Sequence, residues 1–510
     1  MTARTIRTPL LSLGAALVLG ACATPGPQPH TDAEKKDRIQ ADTARMYADQ
    51  EPVTGPIDFH EAAARALKYN LDYRLKLMES ALAADLRDVS THEMLPRLVA
   101  SAGRTGRSND SGGTSIGIED RQESLRASTS EERYRTVAGL GLTWSVLDFG
   151  VAYYRSQQKS DQILMAEERR RKVAQNVLQD VRNAYWRALA AQRLMPHVDA
   201  LLARTHRALG QAREAEEKGL LPRQEILAYQ RALLDSVSLL TVRRQDLELA
   251  RAELVALMSL PPNSPMVLAD GEEPFLPAVG DDTERLERLS LERRPEIMEE
   301  WYRKRVNEND LKIAKAQLWP NLSVNLGAEY DSNKYLYNNH WSTTGVQVSL
   351  NLLRLLQLPS IESAARSQAE TDDLRRVALS MAILTQVRVG VVRYQLARHE
   401  VGFADESLRV DRSLLDHANA SRSTRFGSEL EVIRAEGRFL LSRYQRDAAY
   451  SRAQAAWGRL YNSVGLETLP ATIATHDVKT LAREIQRTLR DQETFSLLVT
   501  TPDLPDATPK

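Results

Sequence analysis

Four short segments alternate apolar and polar side chains with a period of two residues. From Leu322 to Tyr330 one face carries Leu, Val, Leu, Ala and Tyr, and the other carries Ser, Asn, Gly and Glu. The segments 346–352 and 138–146 alternate in the same way, and 98–104 does so more weakly. The pattern predicts β-strands with one apolar and one polar face. Strands of about nine residues fit a tilted membrane strand, but the half-buried sheet of a soluble protein uses the same alternation.

Most of the remaining chain has helical periodicity over unusual lengths. Residues 151–218 contain little turn chemistry, and ~65 residues at ~1.5 Å each would span roughly 100 Å. Apolar or small residues recur at alternating steps of four and three, which predicts helices that pack side by side over a long distance. Pro196 is the exception, because proline inside a helix should kink or break it. The recurring positions are Val177, Val181, Ala184, Ala188, Ala191, Met195, Val198 and Leu202, and then Ile383, Val387, Gly390, Tyr394, Ala397, Val401, Ala404 and Leu408.

The chain contains two copies of one unit. Segment 66–73 matches 290–297, and 95–98 matches 319–322, both at an offset of 224 in the numbering (294 − 70, 320 − 96). Later segments match at an offset of 206, for example Trp144 with Leu350 and Glu225 with Glu431. The difference between the two offsets (224 − 206 = 18) falls in the Gly/Ser-rich stretch 106–135. We therefore predict a duplicated helix–strand–strand–helix unit whose first copy has a longer loop.

Composition and charge narrow the possible functions. The 68 basic and 68 acidic residues balance, so no global field favours nucleic acid. Beyond residue 22 we find no uncharged apolar run as long as the roughly 18 residues of a spanning helix, which excludes a polytopic helical membrane protein. A single cysteine excludes a disulfide scaffold and any multi-cysteine metal site. Because no credible nucleophile, metal cluster or acid–base cluster is present, we predict that the protein is not an enzyme and holds no metal.

The N-terminus has the features of a secretory signal. Arg4 and Arg7 precede a short apolar stretch from Leu10 to Ala21, which is too short to span a membrane. It ends in Leu19-Gly20-Ala21-Cys22, which resembles the bacterial lipobox, and the alternative is an ordinary signal peptide with a chance cysteine. The resemblance implies a covalent lipid on Cys22 as the only attached group. With Ala23 next, it also implies sorting to the outer membrane.

Four strands cannot form a barrel by themselves. About eight strands are the practical minimum, and a membrane does not tolerate an open sheet edge. If the strands lie in a membrane, several chains must therefore share one barrel, and three chains would supply twelve strands (3 × 4). The polar faces would then line a water-filled lumen, and the long helices would extend it away from the membrane.

At this point the chain resembles the outer-membrane efflux protein (TolC-like) family, in particular its lipid-anchored members. The resemblance covers about residues 55–468. Arg294-Pro295-Glu296-Ile297 and Ala314 to Leu322 look like the family's helix entering its strand. Residues 144–150, Trp-Ser-Val-Leu-Asp-Phe-Gly, look like the strand leaving the membrane for the next helix. Each motif alone is weak, but their order, repeated twice, is highly specific.

The resemblance implies a fold and partners. The fold would be mainly α with a membrane β-barrel: a homotrimer with a twelve-stranded barrel and a long α-helical tunnel through the periplasm of a Gram-negative bacterium. The partners would be a periplasmic adaptor, an inner-membrane pump and outer-membrane lipid, with no nucleic acid. The expected divisions are a signal peptide (1–21), a lipidated N-terminus and tether (22–54), a first repeat (55–260), a linker (261–285), a second repeat (286–468) and a C-terminal extension (469–510), whose helical part, 478–490, could pack back on the tunnel.

Two sets of site residues also follow from the resemblance. The tips that contact the adaptor would be Gly219, Leu220 and Leu221 in the first copy, and Thr424, Arg425, Phe426 and Gly427 in the second. The family's tunnel narrows at an acidic ring just after the second tip, where Glu431 stands here, with Glu225 as its counterpart in the first copy. Three Glu431 carboxylates would form a cation-selective ring. Arg434 could neutralise it, and Glu431 and Arg434 could equally form a local surface pair.

Three functions remain open from the sequence. The favoured one is the exit duct of a tripartite efflux system that passes small molecules across the outer membrane. The second is an outer-membrane channel for type I protein or polysaccharide secretion. The third, of another class, is a periplasm-spanning structural coiled-coil lipoprotein, which would have no need of the duplicated amphipathic strands.

Overall fold

The computed structural model describes residues 29–124, 126–219, 222–262, 264–271, 273–279, 282–423, 429–466 and 477–494. It divides the chain into two compact units, 1–51 and 52–510. In the first unit, helix α1 (Asp32–Met46) lies where the sequence analysis expected only a tether. Thr31 and Glu34 close its N-terminus with a reciprocal capping box. The helix has no buried residue, so no apolar pattern in the sequence indicated it.

The first repeat begins the second unit. Its helices and strands are α2 (Phe59–Tyr69), α3 (Leu71–His92), β1 (Arg97–Gly106), β2 (Gly112–Gly113), β3 (Ser128–Thr129), β4 (Tyr134–Ser145), α4 (Val146–Glu217) and α5 (Arg223–Leu257). The loop of 106–135 therefore contains a small two-stranded sheet of its own, β2 paired with β3. The side chain of Ser145 accepts a hydrogen bond from the Asp148 N–H and caps α4. For this reason Val146, expected in the strand, begins the helix instead.

The second repeat has the same order of helices and long strands. It comprises α6 (Thr283–Arg293), α7 (Pro295–Ala316), β5 (Asn321–Asp331), β6 (His340–Ser349), a short 3₁₀ helix (Leu352–Gln357), α8 (Leu358–Ser423) and α9 (Glu429–Val464). The first residues of α2 and α6 are related by the offset 283 − 59 = 224, and those of α5 and α9 by 429 − 223 = 206. Both predicted offsets are thus confirmed. Leu350 and Leu352, expected in the last strand, lie beyond its end.

The four long strands form one antiparallel sheet in the order β1-β4-β5-β6. Leu142 of β4 lies between Leu98 of β1 and Leu326 of β5, so the apolar residues share one face. On the other face Thr143 pairs with Asn325, and its hydroxyl donates a 3.0 Å hydrogen bond to the Asn325 side chain. The sheet joins the two copies of the repeat, because β4 and β5 are neighbours.

The long helices keep the predicted heptad packing. All sixteen recurring positions are buried or half-buried. Contrary to the expectation, α4 continues through Pro196. A proline inside a helix costs about 3 kcal/mol or more, but Leu194 and Val198 on either side of it are buried in a core shared by α4, α5 and α9. Packing of the flanking turns therefore holds the helix together.

The largest core lies where α2, α4 and α9 meet. Phe59, Tyr185, Trp186 and Tyr450 make edge-on or stacked ring contacts there. Helix α10 (Val478–Thr494) joins this core, as predicted for the C-terminal extension. Its buried residues, Val478, Leu481, Ile485 and Leu489, recur at helical spacing.

Candidate functional site

The four-stranded sheet has two open edges and an uncovered apolar face. Strands β1 and β6 each pair on one side only. Leu98 is 63% exposed and Val346 is 71% exposed, although both are on the apolar face. In the half-buried sheet of a soluble protein such side chains would lie under a second layer, and no described element packs over them. A sheet with this surface needs an apolar environment and further strands.

The predicted first tip lies between α4 and α5, and Gly219 is the residue of it that the structure describes. Gly219 has a φ of +64°, a left-handed conformation that residues with a Cβ adopt only at a cost. It follows Lys218, the C-cap residue of α4. Leu220 and Leu221, and the second tip's Thr424, Arg425, Phe426 and Gly427, lie outside the described residues.

The gate candidates occupy equivalent places in the two repeats. Glu225 lies in the first turn of α5 and Glu431 in the first turn of α9. Both carboxylates are exposed, as is Arg434 one turn further along α9. Carboxylates in a first turn are stabilised by the helix dipole. These side chains are accessible to solvent in the single chain, and their role as a gate stays a prediction.

Near the same tip, an ion-pair network joins the two repeats. Arg204 of α4 donates from Nε to Glu429 at 2.6 Å and from Nη1 to Glu436 at 2.7 Å. Glu429 also pairs with Arg422, at the end of α8, at 2.7 Å. Hydrogen bonding to Glu429 raises the pKa of Arg204. The sequence analysis missed this network because its partners come from different repeats, far apart along the chain; its only local signal is the acidic first turn of α9.

Two further expectations concern lipid and metal. The lipid attachment residue, Cys22, lies outside the described residues. In the described part of the chain, no cluster of His, Cys, Asp and Glu has the geometry of a metal site. One helical region there, Leu352–Ser423, contains a stretch long and apolar enough to cross a membrane. Only 22% of that stretch is buried within the chain.

Comparison with known proteins gives one match to a family model. Residues 64–259 match the model of the family described as outer membrane efflux protein. This match covers most of the first repeat. No curated protein sequence matches the chain.

Solved outer-membrane channels share the fold. The Campylobacter jejuni channel CmeC has a TM-score of 0.64 at 12% identity, over 91% of this chain and 97% of its own. The open-state Neisseria gonorrhoeae channel MtrE has a TM-score of 0.60 at 13% identity, over 82% of this chain and 94% of its own. The channel OprN has a TM-score of 0.58 at 17% identity, over 80% of this chain and 89% of its own. The predicted resemblance to the outer-membrane efflux protein (TolC-like) family, a family of non-enzymatic conduits, is thus confirmed by sequence over residues 64–259 and by fold over most of the chain.

Proposed function

We propose that this chain is one subunit of a trimeric outer-membrane channel that exports small molecules. The observation that carries the proposal is the open four-stranded sheet, whose apolar face is exposed and whose two edges are unpaired. In a bilayer every backbone N–H and C=O must be satisfied, so β1 of one chain would pair with β6 of the next. Three copies give a closed barrel of twelve strands (3 × 4), with the Thr143 and Asn325 face lining a wet lumen.

A second surface supports the same assembly. Helix α8 carries large apolar residues that are exposed and recur at steps of three, four, seven and eleven: Leu374, Val377, Met381, Val392, Leu396, Phe403 and Val410. Helix α5 exposes a shorter stripe, Leu227, Leu234, Val242 and Leu249. A heptad stripe without a partner in its own chain is suited to a helix of another chain. Within the chain, α5 packs against α4, α4 against α9, and α9 against α8, which gives a row of helices in the order α5-α4-α9-α8. We place α8 of one copy against α5 of the next, because these two helices lie at opposite ends of the row.

The remaining parts of the assembly are extensions of this proposal. The tip around Gly219 would contact a periplasmic adaptor, and an inner-membrane pump would deliver the cargo. Lipid on Cys22 would hold the N-terminus in the outer membrane, where two or more acyl chains give stable anchoring. A structural coiled-coil spacer would use the same helices, but it gives no reason for the exposed sheet. Secretion of protein or polysaccharide would use the same barrel.

Single-channel recording in planar bilayers tests the channel. The full-length protein is purified in detergent and its oligomeric mass is measured first. A trimer that inserts and opens in discrete steps is the expected result. A monomer that never inserts would contradict the proposal and favour the spacer.

The lipid anchor is tested separately by labelling cells with palmitate. The wild-type chain should incorporate the label and the Cys22→Ser variant should not. Because the barrel spans the membrane independently of the anchor, channels of the variant should still form, with lower efficiency. Absence of label from the wild-type chain would show that the lipobox interpretation is wrong.

A further inference from the structure

A large groove lies between α4 and α8, and α9 forms its floor. Its volume is about 790 Å³, within the range of about 300–1,000 Å³ that is usual for small-molecule sites. Asn176 and Asn183 of α4 line one wall, and Arg393 of α8 lines the other. The groove was not apparent from the sequence, because α4 comes from the first repeat and α8 and α9 from the second, and only the fold brings them together.

The groove is strongly basic. Five of its described lining residues are cationic, Lys172, Arg294, Arg393, Arg452 and Arg459, and none of its described lining residues is acidic. The chain as a whole balances its charges, 68 against 68, so this is a local excess. A concave site lined by one sign of charge concentrates solutes of the opposite sign.

Three of the five cations are already paired with carboxylates. Lys172 and Arg294 share Glu296, which Arg294 holds at 2.8 Å. Burial raises the pKa of Glu296, but hydrogen bonds from Arg294 and the charge of Lys172 outweigh it and bring the pKa to about 2. Glu296 therefore stays ionised and neutralises part of this charge. Arg452 pairs with Glu400.

The other two cations, Arg393 and Arg459, have no ion-pair partner in the described part of the chain. Both side chains are exposed, one on the wall and one on the floor. Burial raises the pKa of the Asp180 carboxyl, and the charge of Arg459 opposes this rise without forming an ion pair. Two guanidinium groups are thus left to face a solute, and guanidinium binds carboxylate, sulfonate and phosphate through paired hydrogen bonds.

The rest of the lining suits an organic anion better than a bare inorganic one. The amides of Asn176, Gln179 and Asn183 add neutral hydrogen-bond donors. Ala397, Ala455 and Ala456 supply small apolar surface against which a carbon skeleton can lie. The combination of convergent polar groups with an apolar floor is typical of small-molecule sites.

The groove is on the side of the helices that the other elements leave open. On the opposite side, the Tyr185 hydroxyl donates to the Ile57 carbonyl beside α2, and the Tyr450 hydroxyl donates to the Pro274 carbonyl of the inter-repeat linker. When helices close into a ring, the concave and uncovered side faces the axis. Placing the groove on the axis side rests on the proposed function. In the proposed trimer, three copies of the groove would face the inside of the tunnel.

We propose that the groove is a binding site for small organic anions, so that anionic solutes are held within the channel during export. The site concerns a bound solute, whereas the Glu431 prediction concerns ions at the narrow tip. Pairing of a ligand anion with Arg393 and Arg459 makes binding weaken as salt is added.

The test is a fluorescence anisotropy titration of 8-hydroxypyrene-1,3,6-trisulfonate against the full-length protein in detergent. The groove variant is Arg393→Gln with Arg459→Gln. The control is Arg398→Gln with Arg438→Gln, which removes the same charge from exposed positions on the same two helices. We expect saturable binding to the wild type, a Kd raised at least about tenfold in the groove variant, and a change below about twofold in the control. The cation rhodamine 6G should not compete.

Three results would overturn the proposal. The first is a wild type that fails to bind the probe. The second is an equal loss of affinity in both variants, which would reduce the effect to overall charge. The third is a groove variant that no longer has the trimeric mass, which would show that the groove is an interface between copies. The titration needs no channel activity. Binding of the probe by a protein that shows no conductance would therefore contradict the proposed channel function and still support the anion-binding site.

Discussion

The two longest helices descend from one repeated segment and yet have different surroundings. Helix α4 buries 26 of its 72 residues, because it packs against α2, α3, α5, α7 and α9. Helix α8 buries 6 of its 66, since the described elements that pack along it are α6, α7, α9 and the preceding 3₁₀ turn. Both carry the same heptad register. The difference comes from position: α4 lies inside the row of helices and α8 at its end, so the exposed stripe of α8 has no partner among the described residues of its own chain.

The largest expected effect is on the buried helix. Leu201 of α4 is 1% exposed in the core shared with α5 and α9. Leu201→Ala should lower the free energy of unfolding by about 2–5 kcal/mol, because it leaves a cavity that the rigid helices cannot close. Thermal unfolding followed by circular dichroism would measure it. Leu414→Ala on α8, at a site 47% exposed, is the control and should change stability far less. Equal losses in the two variants would contradict the contrast between the helices.

The next effect is on assembly. Leu396 of α8 is 64% exposed in the single chain. Leu396→Glu puts a charge into the proposed interface with α5 of the next copy, and an unpaired buried charge is strongly unfavourable. We expect the trimer to dissociate while the helical content stays constant, as measured by native mass and circular dichroism.

The neighbouring residue provides a matched control for that experiment. Gln395→Glu adds the same charge at an exposed position outside the stripe and should leave the trimer intact. A trimer that survives Leu396→Glu would show that this stripe does not join the chains.

The contrast between α4 and α8 also marks what the sequence could predict. The two repeat offsets predicted where each repeated helix and long strand lies, because local sequence patterns determine these elements. The heptad positions predicted which faces pack, but a repeat alone does not show which copy lies at the end of the row. Pro196 was expected to kink or break α4, but the helix continues through it, because Leu194 and Val198 are buried on either side. Helix α1 was missed because it buries nothing.

The sites divide in the same way. Gly219 was named from a resemblance; the structure gives it a left-handed backbone, and its role at the tip stays a prediction. The Arg204–Glu429 pair and the basic groove could not be predicted, because each needs side chains from both repeats in one place. Arg393 and Arg459 are 66 residues apart in the sequence (459 − 393), so no run of residues indicates them as neighbours.

A smaller effect is expected at the tip of the first repeat. Gly219→Val should strain the tip by about 1–2 kcal/mol, because a β-branched residue resists a φ of +64°. Export should fall severalfold while the trimer keeps its mass, since the turn would lose its conformation for the adaptor. Gly219→Asn is the control, because asparagine tolerates this conformation. Normal export by Gly219→Val would mean that the adaptor contact lies elsewhere.

The smallest effect is expected at the gate. Glu431 and Glu225 begin equivalent helices, and both are exposed. Only the Glu431 ring is expected at the narrow part of the tunnel, so Glu431→Ala should lower the cation preference by roughly twofold, a modest change because salt screens exposed charges. Glu225→Ala should change it less, and Arg434→Ala should raise it, since a neutralising charge is removed. Reversal potentials across a salt gradient measure all three. Identical reversal potentials for Glu431→Ala and the wild type would show that Glu431 is not part of the gate. Equal shifts from Glu431→Ala and Glu225→Ala would show that the two repeats contribute equally to the mouth of the tunnel, although their long helices differ in burial.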